Sequence, residues 1–319
     1  MNQHVVLVTA IGTTASTTVI SQLRKAGGYY IIGADIYKKN QVVTAREVDE
    51  FYTFPSSIKD LEGYITFVCD FCKEHRIEYY FATIDEEIVN MSKHRAMFEA
   101  IGVKLCIANH EAIMICHYKD KFCEWIDQNV PQVSMKRYEG FKEAVYPVFI
   151  KPKEGRGSTG CKRIDTLAGA EEMIRGGLKA QDYLIQEFID SEIVTVDLVR
   201  NAKTGQKQQI QRVEEIRNGQ GCGIAIEIVN DEVLAAYCEA IMEKLNLNGV
   251  VNAEFFHSGD QYRIIEINPR FGAGTSFSVE AGCDIVMNAI SIVNGEECDL
   301  GSPTIGAHFA KRYETYRLE

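Results

Sequence analysis

The stretch VVNAEFFHSGDQYRIIEINPR, residues 250 to 270, carries two carboxylates, an amide and a guanidinium at spacings that chemistry can use. Apolar residues alternating with polar ones on either side of Ser258-Gly259-Asp260 read as two strands of a hairpin. A three-residue loop there sets Glu254 directly opposite Glu266. Asn268, two residues further on, shares their face. Like charges facing each other destabilise a sheet unless something positive lies between them. A hard cation does this, and Mg²⁺, with Mn²⁺ as the alternative ion, takes oxygen ligands of this kind. The competing reading is a salt-bridged, exposed face, but the flanking valines, isoleucines and phenylalanines favour a half-buried hairpin. Arg270 follows behind Pro269, and its planar fork suits a phosphoryl or carboxylate group. Backbone donors of Gly272-Ala273-Gly274-Thr275-Ser276 come next.

Two other stretches could serve the same anion. In VFIKPKEGRGSTG a strand delivers Lys151 to a loop containing Gly155, Gly157 and Gly160. Glycines let backbone N–H groups approach an anion while the lysine supplies net charge, so a triphosphate could be held here. A hairpin turn with an exposed lysine explains the same letters. In YLIQEFIDSE a strand ends in Gln186-Glu187-Phe188-Ile189, with Glu192 soon after. Its backbone could read an adenine edge and its carboxylate could reach ribose hydroxyls. A plain strand with a solvated acidic end is the alternative.

Elements must position these groups. HVVLVT at residues 4 to 9, YIIGA at 30 to 34 and YYFA at 79 to 82 read as buried strands alternating with helical patterns. That order predicts a parallel sheet with ligand-facing residues beyond the strand ends, where Gly12, Asp35 and Asp85 fall. A dinucleotide fingerprint is absent, because Thr14 stands where its second glycine belongs. Near residue 110 the texture changes to a helix bearing Lys119-Asp120-Lys121, followed by strand-rich sequence.

The 319 residues, 46% hydrophobic and 25% charged, suit two or three globular units. A net charge of −11 argues against nucleic acid or an anionic membrane as partner. No apolar run reaches the ~18 residues of a membrane span, and MNQHVVLVTAIG lacks a signal-peptide pattern, so a cytoplasmic protein is expected. The ten cysteines are scattered, and Cys69-x-x-Cys72 has no second pair to complete a zinc site. Reduced, packed thiols are expected.

The series Lys121, Lys151 with its glycine loop, Gln186-Glu187, Glu192, Glu254 and Glu266-x-Asn268-Pro269-Arg270 resembles the ATP-grasp superfamily. It resembles in particular single units of carbamoyl-phosphate synthase large chains and related carboxylate–amine ligases. The resemblance implies an α/β and α+β chain, with a Rossmann-like domain at 1–110 and a two-part grasp fold at 111–319, its halves 111–182 and 183–319. Lys121 and Lys151 would contact ATP phosphates, and the loop with Gly157 and Ser158 would close over them. Gln186, Glu187, Phe188 and Ile189 would line adenine, and Glu192 would hold ribose. Glu254, Glu266 and Asn268 would bind Mg²⁺, and Arg270 would meet the transferred phosphoryl group. The implied activity is ligation of a carboxylate to an amine through an acyl phosphate. Competing readings are a small-molecule kinase, an ATP sensor without turnover and an NAD-dependent oxidoreductase. Small-molecule carboxylate and amine substrates are the expected partners, with a homodimer left open. The sequence ends at Glu319 without the further domains of synthase chains, so a stand-alone ligase is expected.

Overall fold

The computed structural model describes residues 3–153 and 159–318. Five parallel strands form the first sheet: β1 (His4–Thr9), β2 (Tyr29–Asp35), β3 (Glu50–Thr53), β4 (Tyr79–Phe81) and β5 (Lys104–Leu105), in the order β3-β2-β1-β4-β5. Fully buried Val6, Leu7 and Val8 place β1 at its centre, as expected of a strand covered on both faces. Thr13 opens the following helix, Thr14–Ala26, its hydroxyl accepting the Ser16 N–H at 3.3 Å. The Gly12 N–H donates to Asp35 Oδ2 at 2.9 Å, so the carboxylate that ends β2 is turned to the backbone of this turn.

Two antiparallel sheets follow. The smaller comprises β6 (Arg137–Tyr138), β7 (Val148–Pro152), β8 (Lys162–Ile164) and β9 (Tyr183–Glu187), in the order β6-β9-β7-β8. The larger comprises β10 (Glu192–Arg200), β11 (Lys207–Arg217), β12 (Gly223–Val229), β13 (Gly249–Ser258), β14 (Gln261–Asn268) and β15 (His308–Ala310), in the order β14-β13-β10-β11-β12-β15. The fold is therefore a parallel α/β unit joined to antiparallel α+β sheets.

Burial divides the molecule differently from the sheets. One continuous core joins Leu7, Ile32 and Tyr80 of the parallel sheet to Val196, Val251 and Ile267 of the large antiparallel sheet. A second joins Val6 and Val8 to Phe271, Phe277 and Ile285. The four-stranded sheet has a small core of its own around Val148, Ile150, Ile164 and Ile185. Backbones touch where the two larger sheets meet: a Cβ on Gly249, whose φ is +139°, would lie 2.6 Å from Ala108 Cα. The Asn109 N–H donates to the Asn248 carbonyl at 3.0 Å beside it.

All ten cysteines are free thiols. No helix among the described residues is long and apolar enough to cross a membrane.

Helix Asp85–Lys93 begins just beyond the end of β4, with Asp85, Glu86 and Glu87 in its first turn, where a helix N-terminus favours negative charge. Glu87 points inward, accepting hydrogen bonds from Thr9 and Tyr64. Burial pushes its pKa up from 4.5 to about 7, although the two hydroxyls act the other way. The folded chain then binds a proton that the unfolded chain has released, so between those two values stability falls as pH rises. The loss amounts to up to about 3 kcal/mol across the window. We expect Glu87→Gln to flatten this slope, leaving the variant relatively more stable at about pH 8 than at about pH 5 in urea denaturation.

Candidate active site

The hairpin of β13 and β14 closes with only Gly259 and Asp260, Gly259 taking φ +59°. This is shorter than the three-residue loop expected from the sequence. Ser258 pairs with Gln261 and Phe255 with Ile264, and then the register shifts so that Glu254 faces Glu266. A bulge at Ile265 thus restores the pairing that the shorter turn would have lost.

Adjacent strands extend the pairing into a row. Glu266 faces Glu254, Glu254 faces Thr195 of β10, and Thr195 faces Arg212 of β11. The next row brings Asn268 opposite Asn252 and Asn252 opposite Asp197. One face of the large sheet therefore collects its polar groups over a cleft of about 550 Å³. Lys151 and Gln186 of the small sheet line the opposite wall, and Lys119, Asp85 and Glu86 border it as well.

Electrostatics at the centre follow from the facing carboxylates. Burial, then the charge of Glu266, raises the Glu254 pKa to about 7. Arg217 opposes this, with Nη2 3.2 Å from Glu254 Oε2 and Nε 2.6 Å from Glu214 Oε2. The Asn268 amide donates to Glu254 at 3.3 Å and to Glu266 at 3.5 Å. Lys151, only 8% exposed, also acts on Glu254 through its charge.

Arg270 binds the two larger units together at the rim. Its Nε donates to Asp85 Oδ1 at 2.9 Å, and Nη2 donates to Asn268 Oδ1 at 3.1 Å. Asp85 stands beyond β4, beside the point where strand order reverses in the parallel sheet, a usual place for ligands in such sheets.

Other residues singled out from the sequence have different surroundings. Lys121 is exposed, its ammonium 4.6 Å from the Tyr118 ring centre; Lys119, two residues earlier, borders the cleft. Glu187 is held by Lys136, whose backbone N–H it accepts at 2.9 Å. Phe188 lies beneath the Arg163 guanidinium, 4.3 Å from its ring centre, and Ile189 is half-buried next to it. Glu192 is exposed and 3.2 Å from His257 Nδ1. Gly157 and Ser158 lie outside the described residues. Sequence reasoning passed over Lys119, Asp197, Arg212, Glu214 and Asn252. Asp197 inside the apolar run VTVDLV was the available signal, because a carboxylate buried there requires a cationic or amide partner.

With no cation between the two carboxylates, their repulsion works against the fold. We expect Glu266→Gln, nearly isosteric, to stabilise the ligand-free chain at about pH 8 by about 0.5 to 1 kcal/mol, read by urea denaturation.

Comparison with known proteins finds family matches in both parts of the chain. Residues 6–106 match the family model "PylC-like, N-terminal domain", and residues 179–311 match "ATP-grasp in the biosynthetic pathway with Ter operon". The carbamoyl phosphate synthase large chain of Clostridium acetobutylicum is 25% identical over 217 residues, covering 61% of this chain and 20% of that protein. The chain thus spans about one fifth of the length of the curated relatives it matches. Among solved structures, the biotin carboxylase domain dimer of Hydrogenobacter thermophilus 2-oxoglutarate carboxylase, in complex with MgADP, ADP and bicarbonate, superposes with a TM-score of 0.77. It is 16% identical, covering 97% of this chain and 74% of that one. An L-amino acid ligase from Bacillus licheniformis superposes with a TM-score of 0.70 at 14% identity, covering 92% of this chain and 74% of that one. With the parallel sheet, the paired antiparallel sheets and the carboxylate-lined cleft between them, the chain belongs to the ATP-grasp superfamily.

Proposed function

We propose that the chain is an ATP-dependent ligase that joins a small-molecule carboxylate to an amine, with release of ADP and phosphate. The observation that carries this reading is the meeting of Lys151, Glu254, Glu266, Asn268 and Arg270 in one cleft between two antiparallel sheets. Phosphoryl transfer demands positioning and charge neutralisation more than covalent help, and this set offers both.

The oxygen donors of Glu254, Glu266 and Asn268 fit a hard divalent cation. Two largely buried carboxylates face each other, and the first has its pKa raised by burial and by the second. Mg²⁺, or Mn²⁺, held by these three residues would neutralise phosphate charge. On this reading Lys151 and one of Lys119 and Lys121 bind the phosphates. Gly157 and Ser158 belong to the covering loop. Gln186 and Glu187 to Ile189 border adenine, and Glu192 binds ribose. Arg270, oriented by Asp85 and Asn268, meets the phosphoryl group as it moves.

The reaction proceeds in two displacements. A carboxylate oxygen of the substrate attacks the γ-phosphorus, the bond to ADP breaks, and an acyl phosphate forms. The amine nitrogen then attacks the acyl carbon, phosphate leaves and the nitrogen sheds a proton. Domain limits at 110 and 182 are part of this proposal. So is a cytoplasmic setting, which ten free thiols support. The dimer of the biotin carboxylase neighbour supports a homodimer here.

Hydroxylamine in place of the amine tests the reading. With a panel of carboxylates, ATP and Mg²⁺, a hydroxamate is expected to form in step with ADP, because an acyl phosphate is an activated carbonyl. ADP accumulating with a stable phosphorylated alcohol would make the chain a kinase. Arg270→Ala is expected to lower the hydroxamate signal by about 10² or more while ATP still binds. Lys151→Ala is expected to weaken ATP binding by about 2 to 5 kcal/mol in a calorimetric titration, as for a buried charge left without its partner. Unchanged affinity in a folded variant would return Lys151 to a structural role.

A further inference from the structure

Arg212 is 1% exposed, yet it borders the cleft. It stands in the same cross-strand row as the two facing glutamates, two strands from Glu254 and so about 10 Å away along the sheet. One side of its guanidinium is committed. Nη1 donates to Asp197 Oδ2 at 2.6 Å and to Ser278 Oγ at 2.5 Å. Asp197 is itself saturated: Ser278 Oγ donates to Oδ2 at 2.7 Å, and Asn252 Nδ2 donates to Oδ1 at 2.8 Å. On the other side, Nε is buried and has no hydrogen-bond partner among the described residues. A buried charged donor left unmade is costly and calls for an occupant.

Gly274 marks the way in. A Cβ placed there would lie 3.1 Å from Nη2 and 3.3 Å from Nε of Arg212, so a side chain at this position would cover that edge. Its φ of −86° is one any residue adopts, so the backbone does not demand glycine. The neighbouring Lys311 ammonium donates to the Ala273 carbonyl and has its pKa lowered by burial and by Arg212, so a second cation crowds the same corner.

We propose that the Nε–Nη2 edge of Arg212 holds the carboxylate that is to be activated. This inference rests on the ligase reading above and names the part of the site that recognises that substrate. A planar two-oxygen group matches a planar two-donor edge, and Arg is suited to such pairing where Lys is not. The lysines that line the cleft, Lys119 and Lys151, come from other elements than Arg212, and the small side chains of Gly272, Ala273 and Gly274 leave room beside it. Asp197, Asn252 and Ser278 act as positioning residues, fixing the guanidinium from behind.

Two variants of the full-length chain test this. Arg212→Lys keeps a cation against Asp197, and Gly274→Ala keeps every charge while placing a methyl over the edge. Melting curves establish that each folds. With the carboxylate that stimulates ADP release by the unaltered chain, both variants are expected to raise the KM for that carboxylate about 10-fold or more, with the KM for ATP within about twofold. A carboxylate KM unchanged in both folded variants overturns the proposal, and a purely structural Arg212 predicts that result. If no carboxylate stimulates ADP release, the ligase reading fails, and the edge is tested by itself. Chain labelled with ¹⁵N-arginine is titrated with acetate and, as a control, with chloride. The Nε–H resonance that is missing from Arg212→Lys should shift saturably with acetate alone. No shift, or an equal shift with chloride, overturns the proposal.

Discussion

Two carboxylates face each other across neighbouring strands, Glu254 on β13 and Glu266 on β14, and much of the site is arranged around that repulsion. Both side chains are only partly exposed on the cleft floor, so water screens the pair less than it would on an open sheet face. The molecule answers with cations and amides brought from a distance: Arg217 from β11, Lys151 from the other sheet and Asn268 from two residues along the same strand. A site that is electrostatically uncomfortable when empty favours a cationic occupant, since the cation relieves a cost that folding has already met.

The same logic orders the second row. Asp197 lies within an apolar strand and would be intolerable alone, yet Arg212, Ser278 and Asn252 satisfy it from three separate elements. These bonds tie β10, β11, β13 and the helix Thr275–Glu280 together beneath the cleft floor. Arg270 performs a comparable service at the rim, since its pairing with Asp85 crosses from the antiparallel sheet to the parallel unit. With the two larger sheets sharing continuous cores, the cleft has one rigid wall. The other wall belongs to a four-stranded sheet that packs around its own small core.

Local patterns made part of this legible in the sequence. Strand alternation and turn chemistry exposed the parallel sheet and the hairpin, and residues two apart on one strand had to share a face, so Glu266 and Asn268 could be grouped without coordinates. Arg212 and Glu214 escaped notice because their significance comes from partners on other strands, and nothing in KQQIQRVEE announces which neighbours will be buried against it. Which of two neighbouring lysines borders the cleft was not legible for a related reason. Lys119 and Lys121 lie about 200° apart around a helix, and sequence alone does not give the phase of a short helix whose polar face is broad. Lys136, which engages Glu187, belongs to a segment with no periodic pattern at all.

The hairpin carries a further consequence. Its two-residue turn and the bulge at Ile265 are compensating departures of one residue each, so the facing of Glu254 and Glu266 depends on their sum. Lengthening the turn by one residue while deleting the bulge would leave the pair undisturbed. With the eleven residues between the two glutamates kept, a two-residue turn without the bulge, or a three-residue turn with it, would carry one glutamate to the opposite face of the sheet. The apparent freedom of an exposed turn is thus bound, for this spacing, to a residue five positions away in the middle of a strand.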